Sequence, residues 1–212
     1  MKRALITLSI VGIALPIFAA EPAHTEEWKF VKQAGGVTIY GRPHQGSHLK
    51  EFKAIGEINA PSHTVYKVID DYEAYPSFMP YTAECRVLAR HHDSVLAYQR
   101  ISPKIISDRD YTIRIDKKSW PSDHGQAYSI QWKQANEKGP HETHGVFRVK
   151  VCDGSWLVEP AGPHKTRATY HVFTDSGVNV PPFVANTISA TGIIKLFTAV
   201  RKQAANPKYR AK

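Results

Sequence analysis

His141 and His144 stand three residues apart around Glu142 and Thr143, and a histidine pair on one helix face can share a metal ion. Here the pair follows Gly139-Pro140, a loop signal, and no third ligand lies nearby in sequence, so no metal site is expected. His44 and His48, separated by Gly46, fail on the same ground. The chain has no Gly-x-Ser-x-Gly elbow, no phosphate loop and no paired-cysteine motif, which removes the familiar nucleophilic and phosphoryl-transfer chemistries. Its two cysteines, Cys85 and Cys152, suggest neither a disulfide framework nor a zinc site.

The residues left to carry chemistry are arginines, aromatics and a few polar groups on a helix. Arg100, Arg109 and Arg114 sit on or at the ends of expected strands. An arginine there is rarely buried without an anionic partner. Either each pairs with Asp108, Asp110 or Asp116 on the rim, or one points inward to an anionic or hydroxylated head group. Tyr66, Tyr72, Tyr75 and Phe78 are more aromatic surface than a solvent face needs; they are either core packing or the wall of an apolar chamber. An acid–base site built from scattered Tyr, Arg and Asp also stays open at this point.

The elements that must position these groups are mostly strands. Thr25 to Gln33 reads as a short helix ended by Gly35-Gly36; Val37 to Gly41 and Leu49 to Asn59 alternate as strands. Pro61 opens a helix carrying Val65, Val68 and Ile69, and Tyr72 to Phe78 forms a second, giving a kinked pair. Strands follow at Cys85 to Arg90, Ser94 to Ile101, Asp110 to Lys117, Gln126 to Lys133 and Gly145 to Val151. Asp153-Gly154 is a two-residue hairpin signal before strands at Ser155 to Glu159 and Thr166 to Thr174. Spacing residues about 100° apart along the final helix puts Ile193, Leu196, Phe197, Val200 and Ala204 on one face. Extending that face backward brings Ala190, Ser189 and Asn186 inward, so polar groups near the helix start need partners, either sheet side chains and water or the polar end of a ligand.

At 212 residues the chain fits one domain with room for a cavity. Met1-Lys2-Arg3, the apolar run Ala4 to Phe18 and the small pair Ala19-Ala20 have the layout of a secretory leader. Cleavage after Ala19 or Ala20 is expected, with residues 21–212 as the domain in a periplasmic or secreted location; an uncleaved anchor is the alternative. The formal net charge is +9 and stays basic without Lys2 and Arg3. In an exported protein that makes nucleic acid an unexpected partner, and the basic surface either meets anionic lipid or simply aids solubility. The tail Lys208, Arg210 and Lys212 is read either as a membrane contact or as a frayed terminus.

Several segments, in order, closely resemble one family: Asp108-Arg109-Asp110-Tyr111, Gly154 to Pro160, Lys165 to Tyr170, and Asp175 to Pro182 leading into Phe183-Val184-Ala185-Asn186. The sequence is similar to the steroidogenic-acute-regulatory-protein-related lipid-transfer (START) domains, from about Trp28 to Ala205. Tyr72 to Pro80 is also similar to the cyclase and coenzyme-Q-binding branch of the wider superfamily. The resemblance implies an α+β helix-grip fold: a curved antiparallel sheet of about nine strands, the helix pair, and a long C-terminal helix closing an apolar cavity for one lipid. It further implies gating by Ser102 to Asp108 and Ser176 to Pro182, and it places Cys85 on the far edge of the sheet from Cys152, against a disulfide between them. A buried charge pair found in some members has no clear match, with Gln99 or Arg100 nearest the place of one partner.

The expected ligand contacts are accordingly Tyr75, Phe78, Arg100, Arg109, Tyr111, Phe183, Asn186, Ser189 and Ile193, and the expected gate is Ile105, Ile106, Gly177, Val178 and Val180. No cofactor is implied. The leading expectation is a non-enzymatic monomeric carrier of a lipid, sterol-like or phospholipid, that meets membranes transiently. The rival is a small-molecule enzyme of the cyclase or hydratase kind in the same cavity.

Overall fold

The computed structural model describes residues 27–103, 107–176 and 182–210, with residues 182–185, 187 and 188 in backbone only. The leader-like segment and the gate residues Ile105, Ile106, Gly177, Val178 and Val180 lie outside the described residues, as does the side chain of Phe183. The fold is α+β. Its strands are β1 (Lys29–Ala34), β2 (Val37–Pro43), β3 (Lys50–Ile58), β4 (Thr82–Arg90), β5 (Ser94–Ile101), β6 (Arg109–Ser122), β7 (Gly125–Gln134), β8 (Phe147–Arg148), β9 (Val151–Gly162) and β10 (Lys165–Asp175). The helices are α1 (Ser62–Asp70), α2 (Tyr75–Phe78) and α3 (Pro182–Ala204).

Nine strands run in the order β1-β2-β3-β10-β9-β7-β6-β5-β4, and the short β8 pairs with the start of β6. Neighbours on the main path are antiparallel; β8 alone among the described strands runs parallel to its partner. The long crossover from β3 to β4 carries α1 and α2 from mid-sheet to the far edge, and β10 returns to lie against β3. Alternation then sorts the residues. Val37, Ile39, Ala54, Ile58, Val95, Ala97, Ile115, Ile130, Val158 and Ala168 are buried, as a period of two requires when one sheet face is covered. Two helices cover it: α1 with Val65, Val68 and Ile69 buried, and α3, whose Ile193, Phe197, Val200 and Ala204 are all buried on the expected face.

Gly56 on β3 is where the helix comes closest: a β-carbon there would stand 2.9 Å from the ring of Phe197. One turn on, Arg201 Nε donates to the carbonyl of Glu57 at 2.8 Å, and its terminal nitrogens donate to the carbonyls of Gly35 and Gly36. Tyr209, 3 % exposed, donates its hydroxyl to Asp71 at 2.8 Å, beside an ion pair of Lys208 with the same carboxylate. Lys208 and Tyr209 are therefore fastened to the helix pair.

Three local readings are corrected. Residues Lys29–Ala34 form a strand, not a helix, because Gly35 and Gly36 both take positive φ (57° and 66°), the pattern of a tight two-residue hairpin turn rather than a helix end. Asp153-Gly154 does not turn; it lies inside β9. The true β9–β10 turn is at Pro163-His164, after Gly162 at φ 143°. Of the strand expected over Gly145 to Val151, only Phe147–Arg148 pairs, with Val151 already starting β9.

Candidate functional site

Between α3 and the sheet lies a pocket of about 250 Å³. Its sides are Ile113 and Ile115 of β6, Ile130 and Trp132 of β7, Trp156 of β9, and Tyr170 and Val172 of β10. Tyr72, Tyr75, Met79 and Tyr81 enter from the helix pair and the turn after it, and Ser189, Gly192, Ile193 and Leu196 form its roof on α3. Trp156 ties wall to roof, with its ring 5.2 Å from Phe197 and 4.7 Å from Tyr170.

The wide side chains reach this face because small residues lie beside them. At Gly154, a β-carbon would stand 2.4 Å from both Trp132 Cζ2 and the carbonyl oxygen of His171. The glycine needs no special backbone angle; it leaves the space over which Trp132 lies.

One polar strip crosses the apolar wall. Tyr111 donates its hydroxyl to Gln99 Oε1 at 2.9 Å, and the Cys152 thiol lies within reach of Tyr111, Trp132 and Thr174. Burial raises the Tyr111, Tyr75 and Tyr170 phenols well above the usual tyrosine range. Burial likewise pushes both thiols, Cys85 and Cys152, up to about 12. Both cysteines are free and buried, with three strands between those that carry them. These groups all stay protonated at neutral pH, since loss of the proton would leave a charge in a medium that solvates it poorly.

Of the residues expected at the site, Tyr75, Tyr111, Ser189 and Ile193 line this pocket. Phe78 stands behind Tyr75, its ring edge-on at 5.6 Å, while the Tyr75 hydroxyl donates back to the carbonyl of Ile69. Asn186 points to the start of β3, where Oδ1 accepts from the Lys50 amide at 3.4 Å. Arg100 lies on the rim between Glu84 (3.7 Å) and Asp108 (3.4 Å).

Arg109 follows neither alternative proposed for it. It is 4 % exposed, donates to the carbonyl of Ser107 and stands 5.9 Å from the Phe147 ring, but it has no described carboxylate partner and does not line the pocket. Its neighbour Asp110 is taken by Arg148, which donates from Nε at 2.7 Å and Nη2 at 3.1 Å, with the Tyr98 hydroxyl also at 3.1 Å. Arg114 does pair with Asp116, at 3.1 Å.

Sequence reasoning placed Gln99 only as a neighbour of a family charge-pair position, not as a ligand contact, and missed Trp132, Cys152, Trp156, Tyr170 and Thr174. A signal existed for some of them. Gln99 shares parity with buried Val95 and Ala97, and Thr174 with Tyr170 and Val172, so each is a polar residue on an apolar strand face. Tyr81, at the pocket mouth, is the one described non-glycine residue with positive φ (62°); its hydroxyl accepts from Lys195 Nζ at 2.6 Å. Among the described residues no three His, Cys, Asp or Glu side chains gather as a metal site, His141 and His144 included.

Comparison with known proteins fits this architecture. Residues 58–191 match the profile of the family described as polyketide cyclase/dehydrase and lipid transport. An uncharacterized protein of Pseudomonas aeruginosa is 25 % identical over 199 residues, 93 % of this chain and 96 % of its own length. The phosphatidylcholine transfer protein of Mus musculus is 25 % identical over 179 residues, 82 % of each chain. The crystal structure of a STAR-related lipid transfer protein fragment from Xanthomonas axonopodis superposes with a TM-score of 0.75 at 22 % identity, covering 85 % of this chain and all of that one. With an antiparallel sheet gripped by its C-terminal helix and a profile match across more than half its length, the chain belongs to the polyketide cyclase/dehydrase and lipid transport family and has the START fold.

Proposed function

We propose that the protein binds one hydrophobic molecule in the pocket between α3 and the sheet and carries it between membranes. The observation behind this reading is the lining itself: isoleucine, tryptophan and tyrosine walls with a single strip of uncharged polar groups. Each Å² of ligand hydrocarbon taken from water into such a lining contributes about 25 cal/mol, and the polar strip sets orientation. The mouse relative, named for phosphatidylcholine transfer, and the family description support the same direction. An acid–base enzyme needs a group poised near working pH, whereas the pocket's phenols and thiol are pushed away from it; this favours the carrier over the cyclase-like alternative.

Entry and exit pass, in this reading, through the segments 102–108 and 176–182 beside the start of α3. We further propose, from the leader-like layout of the N-terminal sequence, that the protein works outside the cytoplasm as a monomer touching membranes transiently. Native mass spectrometry of the purified protein, together with transfer between donor and acceptor vesicles, tests the proposal. The expected result is one lipid per chain and protein-dependent transfer; an empty protein that moves no lipid refutes it.

A further inference from the structure

The lining of the pocket has a property that its apolar character alone does not require. Among the described residues it contains no Asp, Glu, Lys, Arg or His, although the chain carries 28 Lys and Arg and 19 Asp and Glu. Two cations next in sequence to lining residues are otherwise engaged. Arg100 is held on the rim by Glu84 and Asp108, and Lys195 spends its ammonium on the Tyr81 hydroxyl and ring, 2.6 Å and 4.9 Å away, at the mouth. Resting on the carrier reading above, we propose that the ligand is an uncharged lipid whose polar end is one hydroxyl or carbonyl, seated against Tyr170 and the Gln99–Tyr111 pair. In this proposal glycerophospholipids do not seat in the described pocket.

Two physical arguments carry this. The first is desolvation. A phosphate diester stripped of water needs a cation or several donors, and an unpaired buried ion costs several kcal/mol. The aromatic rings of Trp132, Trp156 and Tyr170 could face a quaternary ammonium, but the phosphate attached to it would find no cation among the described lining residues. The second is size. A volume of about 250 Å³ lies just below the roughly 300–1,000 Å³ of pockets for drug-sized ligands, which favours one slender body over two acyl chains.

The polar end is placed by the hydrogen bonds left over. Tyr111 and Gln99 satisfy each other at 2.9 Å yet keep lone pairs for a ligand hydroxyl. Tyr170 lines the pocket and makes no hydrogen bond to a described residue, so its phenol proton is available to a ligand oxygen. One donor and adjacent acceptors suit a hydroxyl or a carbonyl, and both are uncharged.

The test is competitive loading of the purified chain. Vesicles of phosphatidylcholine and phosphatidylglycerol carry cholesterol, ubiquinone and octadecanol as minor components. The protein is re-isolated and its lipid identified by native mass spectrometry and extraction. The expected result is one neutral lipid per chain, enriched about tenfold or more over phospholipid relative to the vesicles. The probe retained shows whether the source is a sterol, a quinone or a long-chain alcohol. Tyr170→Phe, which keeps the ring, is expected to weaken that retention about threefold to tenfold, the effect of one hydrogen bond, with an unchanged melting temperature. Phospholipid retained at or above its share of the vesicle overturns the inference and leaves the carrier reading standing. Full retention by Tyr170→Phe overturns the placement of the polar end. Protein that retains and transfers none of these lipids removes the carrier reading and this inference with it.

Discussion

Replacing Gly154 by alanine adds a single methyl group, and the structure specifies what it meets. The new carbon would lie 2.4 Å from the His171 carbonyl oxygen, 2.4 Å from Trp132 Cζ2 and 2.9 Å from Cε2. Carbon atoms rest comfortably at about 3.5–4.0 Å, so about 1 Å of movement is required on two sides at once. The carbonyl belongs to β10, paired to β9 on one side and β3 on the other, and cannot retreat without opening a ladder. Trp132 can move only toward the pocket, where Tyr170 already stands 5.8 Å from its ring. Overpacking of this kind costs typically 1–3 kcal/mol and occasionally more. With the clash on two sides the upper end of that range applies, and alanine in a strand interior otherwise gains roughly 0.5–1 kcal/mol over glycine, so the expected net loss is about 2 kcal/mol. For a domain of this size that lowers the melting temperature by about 4–8 °C. Thermal and urea unfolding read the loss. A Trp132→Leu/Gly154→Ala double variant isolates the part due to the indole, with a coupling of about 1 kcal/mol expected. An unchanged or raised melting temperature for Gly154→Ala would mean that the glycine is not there for space, and the account of how Trp132 reaches the pocket would fail.

Three further outcomes follow from other parts of the fold. Arg148→Met leaves Asp110, 1 % exposed at its side chain, without its cation and is expected to cost about 3–5 kcal/mol in urea unfolding; a loss below about 1 kcal/mol would place this pair with ordinary surface pairs. Glu51 is pushed up by burial but held below the usual carboxylate range, near 4.5, by hydrogen bonds from Arg42 and His171. Its contribution is therefore complete above that value and lost as pH falls through the lower folded-state pKa, so urea midpoints of Glu51→Gln should fall less steeply with acid than those of the native sequence. Cys85 and Cys152, with thiols near 12, should resist iodoacetamide at mildly alkaline pH until the protein is unfolded; rapid native labelling, followed by mass spectrometry, would contradict their burial.

The parts of this fold that could be read from sequence are those where each element carries its own periodicity. The inner face of α3 from Ile193 to Ala204 appears at helical spacing, and the Tyr111, Ile113, Ile115 alternation of β6 marks one sheet face. The misreadings arise where a local signal has two physical meanings. A diglycine ends a helix or turns a hairpin, and β1, exposed along nearly its whole length, offers no burial pattern to decide. Asp153-Gly154 has turn chemistry, but the reason for its glycine is a tryptophan on another strand. The same holds for charge: Arg109 lies next to Asp110, yet the carboxylate belongs to Arg148, 38 residues away in sequence. Neighbours in an extended chain point to opposite faces, so adjacency in sequence argued against that pair rather than for it.

That alternation also explains how a pocket free of charge can exist in so basic a chain. On β6, Tyr111, Ile113 and Ile115 face the pocket, while Asp110 and Thr112, of the opposite parity, are buried beneath the segment from Ala135 to Val149. Arg148 reaches Asp110 from that segment, and the Thr112 amide donates to Asn136 Oδ1 at 2.8 Å while the Asn136 amide group donates to the Val149 carbonyl at 2.7 Å. Gly139 lies so close over Thr112 that a β-carbon would stand 1.8 Å from its hydroxyl oxygen. A slip of one residue in β6 would exchange the two sets of side chains, carrying Asp110 into the apolar pocket and Tyr111 under the segment. Bonds made on the far side of the sheet thus hold the register that keeps the near side uncharged. For this reason, variants on the Asp110–Arg148 side are expected to disturb ligand retention without touching the ligand. Loss of retention in Asn136→Ala, with Tyr111 and Gln99 intact, is the outcome that separates register control from direct contact; full retention in that variant would show that the strand keeps its register unaided.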